Sequence, residues 1–242
     1  SRWLACVNAG SPVDPRCTYR HFGSRRPFVG RRAVTGRIIE TDADVHEGML
    51  ALSAMCPRMK AAYALTGPLP LRRRADGFAQ VLSAIVGQQV SVASAAAVWS
   101  RIEAAGFNTP AAVLAASDDE LRAVGLSGQK FIYARELALA DIDYIALRDM
   151  SDEAVIKTLV AVKGIGPWTA EVYAMFSLGR ADVFAPGDLA MQEAARSLYD
   201  LPERPKEKAF REMADAWAPW RAVAARLLWA YYAHEKDRDG IR

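Results

Sequence analysis

Cysteine is scarce in this 242-residue chain, which holds only Cys6, Cys17 and Cys56. Three scattered thiols exclude a disulfide framework, a four-cysteine zinc site and an iron–sulfur cluster. Histidine is as rare: His21, His46 and His234 show no ligand spacing, so no structural metal is expected. Long apolar runs are missing too. No stretch reaches the roughly 18 apolar residues that span a bilayer, and the Arg-rich start lacks the apolar segment of a signal peptide. No membrane partner is expected, and a cytoplasmic location is the default. Strand signals are nearly absent, since only RII at 37–39 alternates weakly.

What is present is 52% hydrophobic and 24% charged residues, the composition of a soluble globular protein long enough to bury a sizeable core. The net charge of +3 is unevenly spread. Residues 1–36 carry seven Arg against one acid, Asp14, leaving the remainder at about −3. Bulk charge therefore does not establish nucleic-acid binding, which needs local placement of cations and backbone N–H groups. Residues 1–36 have the aperiodic Pro/Gly/Arg/Ser composition of a flexible extension. Their character changes abruptly at VTGRIIETDADVHEGML, consistent with a native domain that begins near Val34 behind an added upstream segment.

From Thr41 onward helical patterns dominate. Thr41 or Asp42 caps a helix running to about Cys56, closed by Pro57. GFAQVLSAIV, SVASAAAVWSRIEAAG and GQKFIYARELALAD read as helices, as does DDELRAVG behind Ser117 and DEAVIKTLVAV behind Ser151. One more follows near 189–199, and two close the chain near 206–217 and 219–234. The expected class is all-α, a compact array of about ten helices.

The stretch VKGIGPWTAEVYAMF, residues 162–176, carries the most chemistry. Gly164 suits a left-handed C-cap ending one helix, and Gly166 permits close approach of another molecule. Pro167 suits the first position of the next helix, where a missing N–H costs nothing. The result is a helix N-terminus with unpaired N–H groups beside Lys163, suited to an anion such as a phosphodiester. A plain structural turn satisfies the same residues.

LVAVKGIGPWTAEVYAMF followed by ADVFAPGDLAM resembles the helix-hairpin-helix DNA glycosylase superfamily, in particular its 3-methyladenine DNA glycosylase II branch. IVGQQVSVASAAAVW at 85–99 and WAPWRAVAARLLWAYY at 217–232 extend the resemblance over most of residues 76–232. It implies two helical subdomains with the active-site cleft between them: about 37–75 plus 190–242, and about 76–189. It also implies a monomer associated with the nucleoid that excises alkylated bases from double-stranded DNA. No cofactor is implied, with a monovalent cation at the hairpin as an option when DNA is bound.

Asp188, 22 residues beyond Gly166, matches the catalytic aspartate of that superfamily. A fixed carboxylate stabilises the positive charge that develops on deoxyribose as a glycosidic bond breaks, and it can orient or deprotonate water. The same residue is a good helix N-cap, and both roles can coexist. Asp182 is a weaker rival, suited to bracing the loop. Superfamily members that also cut the backbone place a Schiff-base lysine where this chain has Trp168, so a monofunctional enzyme using water is implied. By the resemblance Trp168, Trp229 and Gln88 form the base pocket, Gln89 is the wedge, and Lys163, Gly164, Gly166 and Thr169 hold phosphate. Tyr173 and Tyr232 are further aromatic candidates, and Arg72, Arg73 and Arg74 either contact phosphate or lie in a solvated loop. Two other functions remain open: a non-catalytic DNA-binding module, and an all-α enzyme acting on small molecules.

Overall fold

The computed structural model describes residues 36–238, so the expectations about residues 1–35 lie outside the described residues. Twelve α-helices account for most of these residues: α1 (Asp42–Met55), α2 (Pro57–Thr66), α3 (Phe78–Val86), α4 (Val92–Ala104), α5 (Pro110–Ala115), α6 (Asp118–Ala123), α7 (Gly128–Leu139), α8 (Asp152–Val160), α9 (Pro167–Phe176), α10 (Leu189–Leu198), α11 (Glu207–Ala214) and α12 (Arg221–Arg238). The class is all-α, as expected. The RII segment contributes a single antiparallel bridge, Ile38 to Arg180, rather than a strand.

The caps follow the local chemistry. Thr41 opens α1 with a reciprocal box, its Oγ1 accepting from Asp44 N while Asp44 Oδ2 accepts from Thr41 N at 2.9 Å. Ser91, Ser117 and Ser151 accept in the same way at α4, α6 and α8. Pro57 does more than close α1. It also occupies the first position of α2, where its fixed φ favours a new helix. That helix and the six-residue α5, capped by Thr109, are the two that the sequence pattern did not reveal.

Packing divides the helices into two sets. In one, α12 lies against α1, α2 and α10; in the other, α3 packs on α4, α7 and α9, α7 on α5 and α6, and α8 on α9. The segment after α9 meets both sets. Ile39 N donates to Gly179 O at 2.7 Å, Ala181 N to Arg37 O, Ala222 N to Ala181 O and Arg74 N to Phe176 O. Gly179 has φ +74, and a Cβ there would stand 2.7 Å from Ile39 O, so the chain crossing needs glycine. Next to it Arg180, 1% exposed, sends Nη2 to the carbonyls of Leu147, Arg148 and Met150 at 2.9–3.0 Å. Its Nε lies 3.5 Å from Asp152 on the first turn of α8. From this crossing the chain descends to α10 through a loop pinned by Phe184, whose ring meets Phe210 and Trp217 edge-on at 5.0 and 5.4 Å.

One buried acid joins α9 to α11. Glu171, 4% exposed, accepts from Arg211 Nη2 at 2.8 Å. Burial, only partly offset by Arg211, raises its carboxyl from 4.5 to about 7. A raised native pKa means that the folded chain binds the extra proton. This contribution to stability is full below pH 4.5 and is lost as pH rises through about 7. Thermal melts at pH 5 and pH 8 should therefore show a larger loss for wild type than for Glu171→Gln, by roughly 1–3 kcal/mol. Equal losses would overturn this assignment.

Candidate active site

The turn between α8 and α9 is the hairpin that the sequence suggested. Val162 and Ile165 are buried beneath it, with Ile165 N donating to Val162 O at 3.1 Å. Lys163 and Gly166 stay exposed. Gly164 adopts φ +96, and a Cβ would lie 2.3 Å from the Tyr133 ring, so the turn is seated directly on α7. Gly166 differs: it caps α9 with extended φ −87, and nothing lies within 4 Å of its would-be Cβ. Pro167 takes the first helical position. The N–H groups of Trp168 and Thr169 follow in the first turn, where no intrahelical acceptor exists. Thr169 is only 5% exposed. A cation at this turn would find neutral carbonyl oxygens, but Gly164 O already accepts from Gln88 Nε2 at 3.0 Å. Among the described residues, no three His, Cys, Asp or Glu side chains converge on a metal-binding point.

Trp168, 42% exposed, turns its indole toward the next loop, where Nε1 donates to Asp188 Oδ2 at 2.9 Å. The other carboxylate oxygen, Oδ1, accepts from Met191 N at 3.0 Å, so Asp188 is the N-cap of α10. The backbone behind it is held as well. Asp188 N donates to Ala185 O, and Gln192 Nε2 donates to Pro186 O at 2.7 Å. Each carboxylate oxygen thus has one fixed donor and keeps a free lone pair. Asp182, the weaker candidate, instead faces Arg221 at 3.6 Å and braces the loop.

On the cavity side, Trp168 lines an open hollow of about 620 Å³ between α3, α4 and α9, together with Arg74, Gln80, Ser83, Trp99 and Val172. The volume suits a small aromatic molecule. Trp168 therefore links the hollow to the carboxylate.

Over residues 82–219 the chain matches the family described as HhH-GPD superfamily base excision DNA repair protein. The chain belongs to that superfamily. Among proteins it is similar to, DNA-3-methyladenine glycosylase 1 of Schizosaccharomyces pombe is 28% identical over 201 residues, covering 78% of this chain and 86% of that one. A crystal structure of DNA-3-methyladenine glycosidase from Bacillus halodurans superposes with a TM-score of 0.71 at 32% identity, covering 84% of this chain and 95% of that one. The S. pombe 3-methyladenine DNA glycosylase in complex with abasic DNA gives 0.68 at 27%, covering 76% and 95%.

Within this HhH-GPD chain the expected residues do not all converge. Trp168 and Asp188 meet, and Lys163, Gly164 and Gly166 share the hairpin. Trp229 is not among the residues lining the hollow; it is half-buried on α12 with its ring 5.6 Å from Phe176. Gln88 also stands outside the lining, committed to the hairpin carbonyl. Gln89 is exposed at the turn before α4 with φ +57, a left-handed conformation that a non-glycine residue adopts at a cost. Tyr173 lines the hollow, and its hydroxyl accepts from Gly77 N at 2.9 Å; Tyr232 lies elsewhere, with Lys236 over its ring. Trp99 and Ser83 escaped the sequence reading. The signal for Trp99 was the run ASAAAVW, whose small side chains leave room beside a large ring.

The two hairpin glycines should separate on substitution. Gly164→Ala meets both a positive φ and the Tyr133 ring and should cost about 2–3 kcal/mol. Gly166→Ala meets open space and should change stability by less than about 1 kcal/mol. Chemical denaturation of both variants checks this. Equal effects would contradict the seating of the turn.

Proposed function

We propose that this protein is a monofunctional DNA glycosylase that binds double-stranded DNA and hydrolyses the N-glycosidic bond of alkylated purines such as 3-methyladenine, as the names of its relatives suggest. One observation carries the reading. A carboxylate held at both oxygens, Asp188, adjoins an aromatic side chain that lines a hollow with ample room for a nucleobase.

The hairpin presents the first-turn N–H groups of α9 and Lys163 to a phosphate, and Gly166 leaves room for the DNA backbone. The target nucleotide leaves the stack, Gln89 occupies part of the gap, and the base enters the hollow over Trp168. A base made cationic by alkylation is attracted to the faces of Trp168 and Trp99. As the C1′–N9 bond breaks, its electron pair goes to the base and positive charge grows on the sugar. Asp188 stabilises that charge, and a free lone pair can orient the attacking water and take its proton. Trp168 offers no amine for a Schiff base, so the sugar is hydrolysed rather than bound covalently. No cofactor enters the scheme, and a monomer suffices.

Asp188→Asn separates this reading from a non-catalytic DNA-binding module. Asn is an equally good N-cap, so the variant should fold. Release of 3-methyladenine from methylated duplex DNA should drop about 100-fold or more, with DNA affinity retained. A wild-type protein that binds duplex DNA but releases no base would refute the proposal. Borohydride treatment should trap no protein–DNA adduct, and a trapped adduct would overturn the monofunctional mechanism.

Affinity should also fall steeply with salt, because phosphate contacts release counterions. Salt-insensitive binding would favour an enzyme acting on small molecules.

A further inference from the structure

Two turns have separate tasks in the reading above: the hairpin between α8 and α9 grips phosphate, and the turn between α3 and α4 carries Gln89. Both rest on one helix. On α7, the Tyr133 ring lies directly under Gly164, and Lys130, nearly one turn earlier, donates from Nζ to Val86 O at 2.7 Å. Gln88 then joins the two turns without an intermediary. Its Nε2 donates to Gly164 O at 3.0 Å, across 76 positions of sequence. A carbonyl only accepts, so the amide nitrogen of Gln88 must be the atom that faces the hairpin. The side chain is half-buried, where a hydrogen bond is stronger than in open water.

The residue after Gln88 is the one that enters the gap left by the extruded nucleotide. Gln89 is exposed and left-handed at φ +57, and a non-glycine residue keeps that conformation only where its surroundings fix it on both sides. Gln88 fixes one side. Ser91 fixes the other, its Oγ accepting from Ser94 N at 3.2 Å as the cap of α4. The bond from Gln88 to the hairpin therefore sets where Gln89 points relative to the bound phosphate. Without it the hairpin still grips DNA, but the side chain that must fill the stack is no longer aimed.

We propose that Gln88 is a positioning residue that locks the α3–α4 turn to the hairpin, so that the contacts gripping the phosphate also drive Gln89 into the duplex. Extrusion of the target base depends on this link, whereas cleavage of its glycosidic bond does not. This rests on the glycosylase reading above. The test is single-turnover release of 7-methylguanine by wild type and by Gln88→Met, whose side chain is of similar length but cannot donate. Two duplexes are used: one pairs the base with cytosine, and the other sets it opposite an abasic site, where no base pair has to be broken. Gln88→Met should slow release from the paired duplex about tenfold or more. Release from the unpaired one should slow by at most about threefold. In a Gln89→Ala background, Gln88→Met should slow paired release by no more than about a further twofold, because both changes act through the same side chain. Each variant is its own control across the two duplexes, so a partial loss of folded protein does not alter the ratio. Equal slowing on both duplexes would make Gln88 a contact to the base or a prop of the fold and overturn the proposal. So would unchanged release from the paired duplex, or additive effects in the double variant. Any of these results with an active wild type defeats this inference alone, whereas wild type that releases no base from either duplex defeats the glycosylase reading with it.

Discussion

The buried guanidinium of Arg180 is the interaction on which the architecture turns. One nitrogen satisfies three carbonyls between α7 and α8, while the backbone on either side of Arg180 receives the N-terminal segment and the start of α12. A buried charge with so many acceptors is costly to disturb, because any lost partner leaves a desolvated cation. Desolvation depresses its pKa and burial raises that of Asp152 beside it, so the pair is held against the preference of both groups for water. The crossing fixes where α9 ends. It thereby sets the distance from the hairpin at one end of α9 to the loop that carries Asp188 at the other.

That distance matters because the site is assembled from the two ends of one short path. Trp168 stands on the first turn of α9, and Asp188 follows the loop that leaves its last turn. Between them Phe184 is wedged among Phe210 and Trp217, Gln192 holds Pro186, and Glu171 ties α9 to α11. A pinned loop keeps the carboxylate in place without help from a ligand. Preorganisation of this kind removes the cost of moving charges into position when a reaction begins.

How much of this was legible in the sequence depends on the range of the forces involved. Local chemistry read well. The serine and threonine caps, Pro167 at the first position of α9 and the left-handed Gly164 are dictated by residues within one turn. Short helices read poorly: α2 and α5 are too brief for their periodicity to stand out, and Pro57 ends one helix while starting another. The site was half visible. Asp188 and Trp168 stood out through the family resemblance of the hairpin region, but their hydrogen bond depends on the loop path between them. Neither the packing of Trp229 on Phe176 nor the attachment of Gln88 to Gly164 O could be read from spacing, because each joins elements far apart in the chain. The hollow was least legible of all, since it is defined by small side chains on three helices that leave space unfilled.

The Asp188 carboxylate, held at both oxygens before anything binds, has a kinetic implication. A protein that completes its reactive centre only after recognising a target can reject a wrong partner by failing to assemble. If Asp188 acts as proposed, the centre is already complete, and every base that enters the hollow meets a finished apparatus. Discrimination would then reside in traffic: which bases leave the helix readily, and how long they stay.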